Sequence, residues 1–71
     1  MIEKLIKVLE YYIDGELTLN TNLKDYQINE LDLVDIMMDI EDEFDVVIDD
    51  EEFNKLNTIN DIYNYIKELL D

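Results

Sequence analysis

At 71 residues the chain is expected to form one domain over residues 1–71, near the smallest size that buries a self-sufficient core. Apolar residues make up 48% of it, enough for a globular fold despite twenty carboxylates against five lysines. With no cysteine and no histidine, a disulfide framework, thiolate metal sites and the usual general base are excluded, and a net charge of −15 opposes binding to nucleic acid or anionic membranes.

Along the chain, Ile2, Leu5, Ile6, Leu9, Tyr12 and Ile13 recur at spacings of three and four, which predicts an amphipathic helix over 2–13. Asp14-Gly15 is expected to stop it, since glycine adopts the left-handed cap without strain. Thr18, Asn20, Thr21 and Asn22 mark 16–28 as an irregular connection, anchored to the core by Leu17, Leu19, Leu23, Tyr26 and Ile28. Asn29 is a suitable N-cap for a second helix, and Asp32 stands at the third helical position like a capping-box acid. Glu30 and Asp32 also suit the positive end of that helix. Leu31, Val34, Met37, Met38, Glu41 and Phe44 then trace the helical period, widened by Ile40, while Asp35, Asp39, Asp42 and Glu43 lie away from it.

The second helix is expected to end near Asp45. Val46-Val47-Ile48 follows as an extended link, with no strand-like run elsewhere to pair with it. Asp49 or Asp50 caps a short third helix through Glu51, Glu52, Phe53 and Leu56. Thr58-x-x-Asp61 reads as a capping box opening the last helix, whose buried stripe is Ile59, Ile62, Tyr63, Ile66, Leu69 and Leu70. The fold class is therefore all-α: four helices with a long first loop and a short third helix.

Charge is unevenly spread. Residues 14–52 hold fifteen carboxylates and one lysine, Lys24, a net of −14, while the two ends together carry only −1. A concentrated anionic surface points to basic partners, and its self-repulsion predicts stabilisation by salt and divalent cations. Solvated carboxylates on a helix are not the paired, desolvated acids of a glycosidase or aspartic protease, so no enzyme is expected. Asp39, Glu41, Glu43, Asp45 and Asp50 alternate as in a calcium loop, but Phe44 occupies the position where that loop needs glycine. No specific metal site is expected, only loose Mg²⁺ or Ca²⁺ binding. Apolar runs are too short to span a membrane, and residues 1–7 lack a signal-peptide core, so a cytoplasmic protein is the expectation.

Residues 25–44, DYQINELDLVDIMMDIEDEF, resemble the loop-to-helix segment of acyl carrier proteins. Residues 41–53, EDEFDVVIDDEEF, resemble that family's acidic stretch, and residues 57–66, NTINDIYNYI, resemble its final helix. The resemblance covers nearly the whole chain and implies a four-helix acyl-carrier-protein-like bundle. In that family an Asp-Ser-Leu triplet carries 4′-phosphopantetheine on its serine. Here the triplet reads Asn29-Glu30-Leu31, Gln27 stands where glycine is usual, and no serine occurs in the 71 residues. Glu30 is thus the attachment-site equivalent, and no cofactor is expected. Thr18, Thr21 and Thr58 lack the surrounding motif, and the Tyr26 phenol is not the transferase's acceptor.

Two readings of Glu30 stay open: a good first-turn helix residue left after function lapsed, or a carboxylate imitating the charge of a modified serine. The resemblance implies a non-enzymatic monomer that docks on basic surfaces of acyl- or aminoacyl-handling biosynthetic enzymes. The docking residues would be Leu31, Asp32, Val34, Asp35, Met38, Asp39, Glu41, Asp42, Glu51 and Glu52. Met37 and Met38 are read either as gap-filling core or as an adaptable apolar contact on that face. Two alternatives remain: an authentic carrier of fatty acid or polyketide biosynthesis whose serine has been changed to Glu30, and a structural adaptor unrelated to acyl chemistry.

Overall fold

Four α-helices carry the fold: α1 (Ile2–Glu10), α2 (Glu30–Phe44), α3 (Asp50–Asn54) and α4 (Ile59–Leu70), with a 3₁₀ turn at Leu23–Asp25 inside the long first connection. The structure, a computed structural model, describes residues 1–71. Twelve side chains form the buried core and all are apolar, so any chemistry must sit on the surface. Leu5, Leu9, Ile36, Ile40, Ile59, Ile62 and Ile66 are its most enclosed members. They come from α1, α2 and α4, the three helices with room for a repeated buried face.

Helix α1 is shorter than the periodicity of 2–13 predicts. The N–H groups of Tyr11 and Tyr12 bond the carbonyls of Val8 and Leu9 three residues back, so the last turn tightens. This turn keeps Ile13 in the core and sets Tyr12 against α2, where its hydroxyl donates to the Asp39 carboxylate. Gly15, at φ +110°, lies beyond the helix end and bends the chain there rather than capping the helix.

The long connection is fastened to the start of α4. The orphan N–H groups of Ile59 and Asn60 donate to the carbonyls of Thr21 and Leu19, and the Leu23 N–H donates to the Asn57 carbonyl at 2.7 Å. Leu17 and Leu23 are buried as expected, whereas Leu19 is exposed and contributes its backbone instead. Asn22 caps the 3₁₀ turn by accepting from the Lys24 N–H.

The N-caps read from the sequence form. Asn29 Oδ1 accepts from the Asp32 N–H at 2.8 Å, and Asp49 accepts from the N–H groups of Glu51 and Glu52. At Thr58–Asp61 both bonds of a capping box are made, whereas at Asn29–Asp32 only the cap's own bond is. Helix α2 stops at Asp45, which takes the left-handed conformation (φ 55°) that aspartate tolerates better than most residues.

Two buried stripes differ from expectation. The core face of α2 runs through Ile36, Met37, Ile40 and Phe44, while Leu31, Val34 and Met38 lie outside it. Each residue turns a helix by about 100°, so a stripe anchored on Ile36 and Ile40 leaves those three on a different side. Leu69 and Leu70 are likewise exposed, because the core ends at Ile66.

Candidate functional site

Glu30 is the first residue of α2, exposed, directly after the Asn29 cap. It lines a cleft of about 280 Å³ between α2 and α3, with Leu33, Val34 and Met37 on the α2 side and Asp50, Phe53 and Asn54 on the α3 side. Leu33, Phe53 and Asn54 also border a second cleft of about 240 Å³, completed by Leu23, Tyr26, Ile28, Leu56 and Ile62, with Lys24 and Gln27 at its edge. Leu33, Phe53 and Asn54 are therefore the shared wall of both clefts, which only their position between two surfaces reveals.

The apolar residues proposed for docking stand in one row. Leu31 (78% exposed), Val34 (47%) and Met38 (53%) repeat at i, i+3 and i+7 along α2, which is one surface line of a helix. The Met37-Met38 pair divides, Met37 packing on the core and Met38 facing outward. Asp35 is exposed beside this row, and Asp32 is half-buried at its start. Val47, 84% exposed, adds an isolated apolar residue in the α2–α3 link.

The acids do not form a single set. Asp39 and Asp42 border a groove shared with Lys4 and Lys7 of α1 and with Tyr11 just past its end, so they lie on the α1 side of α2. Asp39 also holds the Tyr12 hydroxyl, which pushes the Tyr12 pKa up to about 12, with partial burial and the charges of Asp39 and Asp35 adding to the effect. Glu51 and Glu52 are exposed on the first turn of α3, where Glu52 pairs with Lys55 at 3.6 Å, the one ion pair of the molecule. No three carboxylates converge within reach of one metal ion.

Glu41 has a different task from its neighbours. Its Oε2 accepts from the N–H of Ile48 at 2.8 Å, and its backbone carbonyl receives the N–H groups of both Asp45 and Val46. It is half-buried and ties the end of α2 to the link that leads into α3. Glu41, expected to serve docking, thus uses one carboxylate oxygen to hold the fold. Sequence reasoning missed this bond because the partner is a backbone N–H seven residues away, which no side-chain pattern records. It missed the Tyr12–Asp39 bond for a similar reason, since 27 residues separate the pair.

Residues 2–66 match the family model described as a phosphopantetheine attachment site. An acyl carrier protein of Buchnera aphidicola subsp. Schizaphis graminum is 39% identical over 66 residues, covering 92% of this chain and 84% of that relative. An acyl carrier protein of Thermotoga maritima is 44% identical over 48 residues, 68% of this chain and 59% of that relative. The crystal structure of an acyl carrier protein from Thermotoga maritima matches with a TM-score of 0.78 at 25% identity, over 97% of this chain and 85% of that one.

Proposed function

The chain belongs to the acyl carrier protein family, whose members are carriers and not enzymes, and from that premise we propose that it has kept the family's docking surface while losing the attachment of phosphopantetheine. One observation carries this reading. The residue that opens α2 behind its cap is Glu30, and none of the 71 residues is a serine. A carboxylate has no hydroxyl from which to build the phosphodiester that tethers the group. The helix start around it is otherwise intact, with a formed cap and acids that suit its positive end.

Docking is then the remaining task. The row Leu31, Val34 and Met38 supplies apolar contact, and Asp32, Asp35, Asp39, Asp42, Glu51 and Glu52 supply charge toward a basic surface on a biosynthetic enzyme. Aliphatic and methionine side chains inside a rim of acids combine a desolvated centre with electrostatic steering. No helix is long and apolar enough to cross a membrane.

Partner capture from the source cell's lysate tests the face. Asp35→Lys, Asp42→Lys and Met38→Ala should each lose a protein that the wild type retains, with unchanged circular dichroism, while Glu3→Lys and Glu68→Lys should keep it. Met38→Ala should weaken capture by about 1 kcal/mol or more if Met38 is a central contact. Loss on the terminal-helix variants with retention on the α2 variants would replace the carrier-like mode with an adaptor using another surface.

A further inference from the structure

We infer that Asp14-Gly15, in the bend that follows α1, is a site of spontaneous backbone modification, where aspartate converts through a cyclic imide to isoaspartate. Both residues are exposed, and Gly15 is the only glycine of the chain. The reaction needs the backbone nitrogen after the acid to reach that acid's own side-chain carbon. Gly15 leaves the approach open. It has no Cβ, its φ of +110° is one that other residues rarely adopt, and beyond its chain neighbours no atom lies within 4 Å of the place a Cβ would take. Its N–H donates to no acceptor of the protein, and the Asp14 carboxylate accepts from no donor.

Hydrogen bonding separates this junction from the others that share its chemistry. The N–H after Asn20 is held by the Thr18 carbonyl, that after Asn22 by the Asn57 carbonyl, and that after Asn57 by the Asp61 carboxylate. The N–H after Asp25 goes to the Leu23 carbonyl, and that after Asp45 to the Glu41 carbonyl. Asn29 and Asp49 precede free N–H groups, but their own side chains are occupied as helix caps. A nitrogen already bonded to an acceptor must first give up that bond, so in the folded chain Asp14-Gly15 reacts first.

In the first step the Gly15 nitrogen attacks Asp14 Cγ. The new N–C bond forms as the bond from Cγ to its hydroxyl breaks, and that hydroxyl leaves with the amide proton as water. Water then reopens the imide. Cleavage at Cγ restores aspartate, whereas cleavage at the Asp14 main-chain carbonyl carbon leaves isoaspartate. Mass and charge are unchanged, but the main chain gains one carbon between Ile13 and Leu17, which are both buried. The product's free α-carboxylate is the group that methyl-transferring repair enzymes esterify, and that chemistry supplies the probe.

Folded wild type is aged at mildly acidic pH and body temperature, treated with isoaspartyl methyltransferase and S-adenosylmethionine, and peptide-mapped. Methyl acceptance should accumulate in the peptide holding Asp14-Gly15 ahead of every other. Asp14→Glu should abolish it there, because the larger ring closes far more slowly, and Gly15→Ala should slow it several-fold. Aged in urea, the wild type should also form isoaspartate at Asn20 and Asn57, whose following N–H groups are then released. No accumulation at Asp14 in the folded chain, equal rates there at Asn20 or Asn57, or persistence in Asp14→Glu would each overturn the assignment. Asp14→Glu keeps the charge and removes no hydrogen bond, so the result stands even where Gly15→Ala fails to fold.

Discussion

Replacing Glu41 should destabilise the fold in a way that replacing its neighbour Asp42 does not. Both residues are acids of α2, and both removals relieve the same crowding of negative charge. Only Glu41 accepts a backbone N–H, that of Ile48 at 2.8 Å, at a residue that is itself buried. Hydrogen bonds to charged groups contribute about 1.5–3 kcal/mol, and the half-buried setting of Glu41 argues for the lower end. Alanine's better helix propensity returns a few tenths of a kcal/mol. Glu41→Ala should therefore lose about 1–1.5 kcal/mol relative to Asp42→Ala, which itself should lie within about 0.5 kcal/mol of wild type. Glu41→Gln keeps a neutral acceptor, about half as strong as a charged one, and should fall between the two. Urea unfolding followed by circular dichroism reads these differences, and for a domain of this size they correspond to a melting-temperature drop of about 4–12 °C. If Glu41→Ala and Asp42→Ala unfold together, the Glu41 carboxylate does not hold the α2–α3 link.

Three further outcomes follow from the same structure. In a spectrophotometric titration of the five tyrosines, one should ionise late, near pH 12, and Tyr12→Phe should abolish that late step. Since the folded pKa of Tyr12 is raised from 10.0, its contribution is present below pH 10 and is lost as pH climbs from 10 toward 12; Tyr12→Phe should remove that alkaline loss, and an unchanged alkaline profile would rule out the Asp39 bond. The Asp61 carboxyl is held below its usual 3.8 by the N–H groups of Thr58 and then Asn57, so its contribution is present above 3.8 and disappears as pH falls through the lower folded value; Asp61→Asn should flatten stability below pH 3.8, and an equally steep acid limb in the variant would contradict the capping box. With one ion pair for twenty carboxylates, the melting temperature should rise with sodium chloride and further with millimolar Mg²⁺ or Ca²⁺, and a melting curve indifferent to both would mean the anionic surface is not under strain.

The sequence disclosed what is local. Caps at Asn29, Asp49 and Thr58, the helix stop near Asp45 and the short third helix are all written in residues within one turn of each other. The core faces of α1 and α4 were readable from their clean periodicity, up to the ends at Tyr12 and Leu69, where helix tightening and the edge of the core intervene. Helix α2 was harder because it carries apolar residues on two sides. Spacing alone cannot separate Leu31, Val34 and Met38 from Ile36, Met37 and Ile40; only the positions of α1 and α4 decide which line is covered. The same holds for the acids, where Asp39 and Glu41 acquire fold-holding partners through contacts 27 and 7 residues distant. The clefts flanking Phe53 had no sequence signal, since each is a space between elements rather than a property of one.

Intact mass spectrometry decides whether this chain accepts a phosphopantetheine. The wild type is incubated with a promiscuous phosphopantetheinyl transferase and coenzyme A, beside an acyl carrier protein that retains its serine and the double variant Asn29→Asp/Glu30→Ser. The serine-bearing control and the double variant should be converted, with no added mass on the wild type. A phosphopantetheine adduct on the wild type would contradict the proposed loss of attachment.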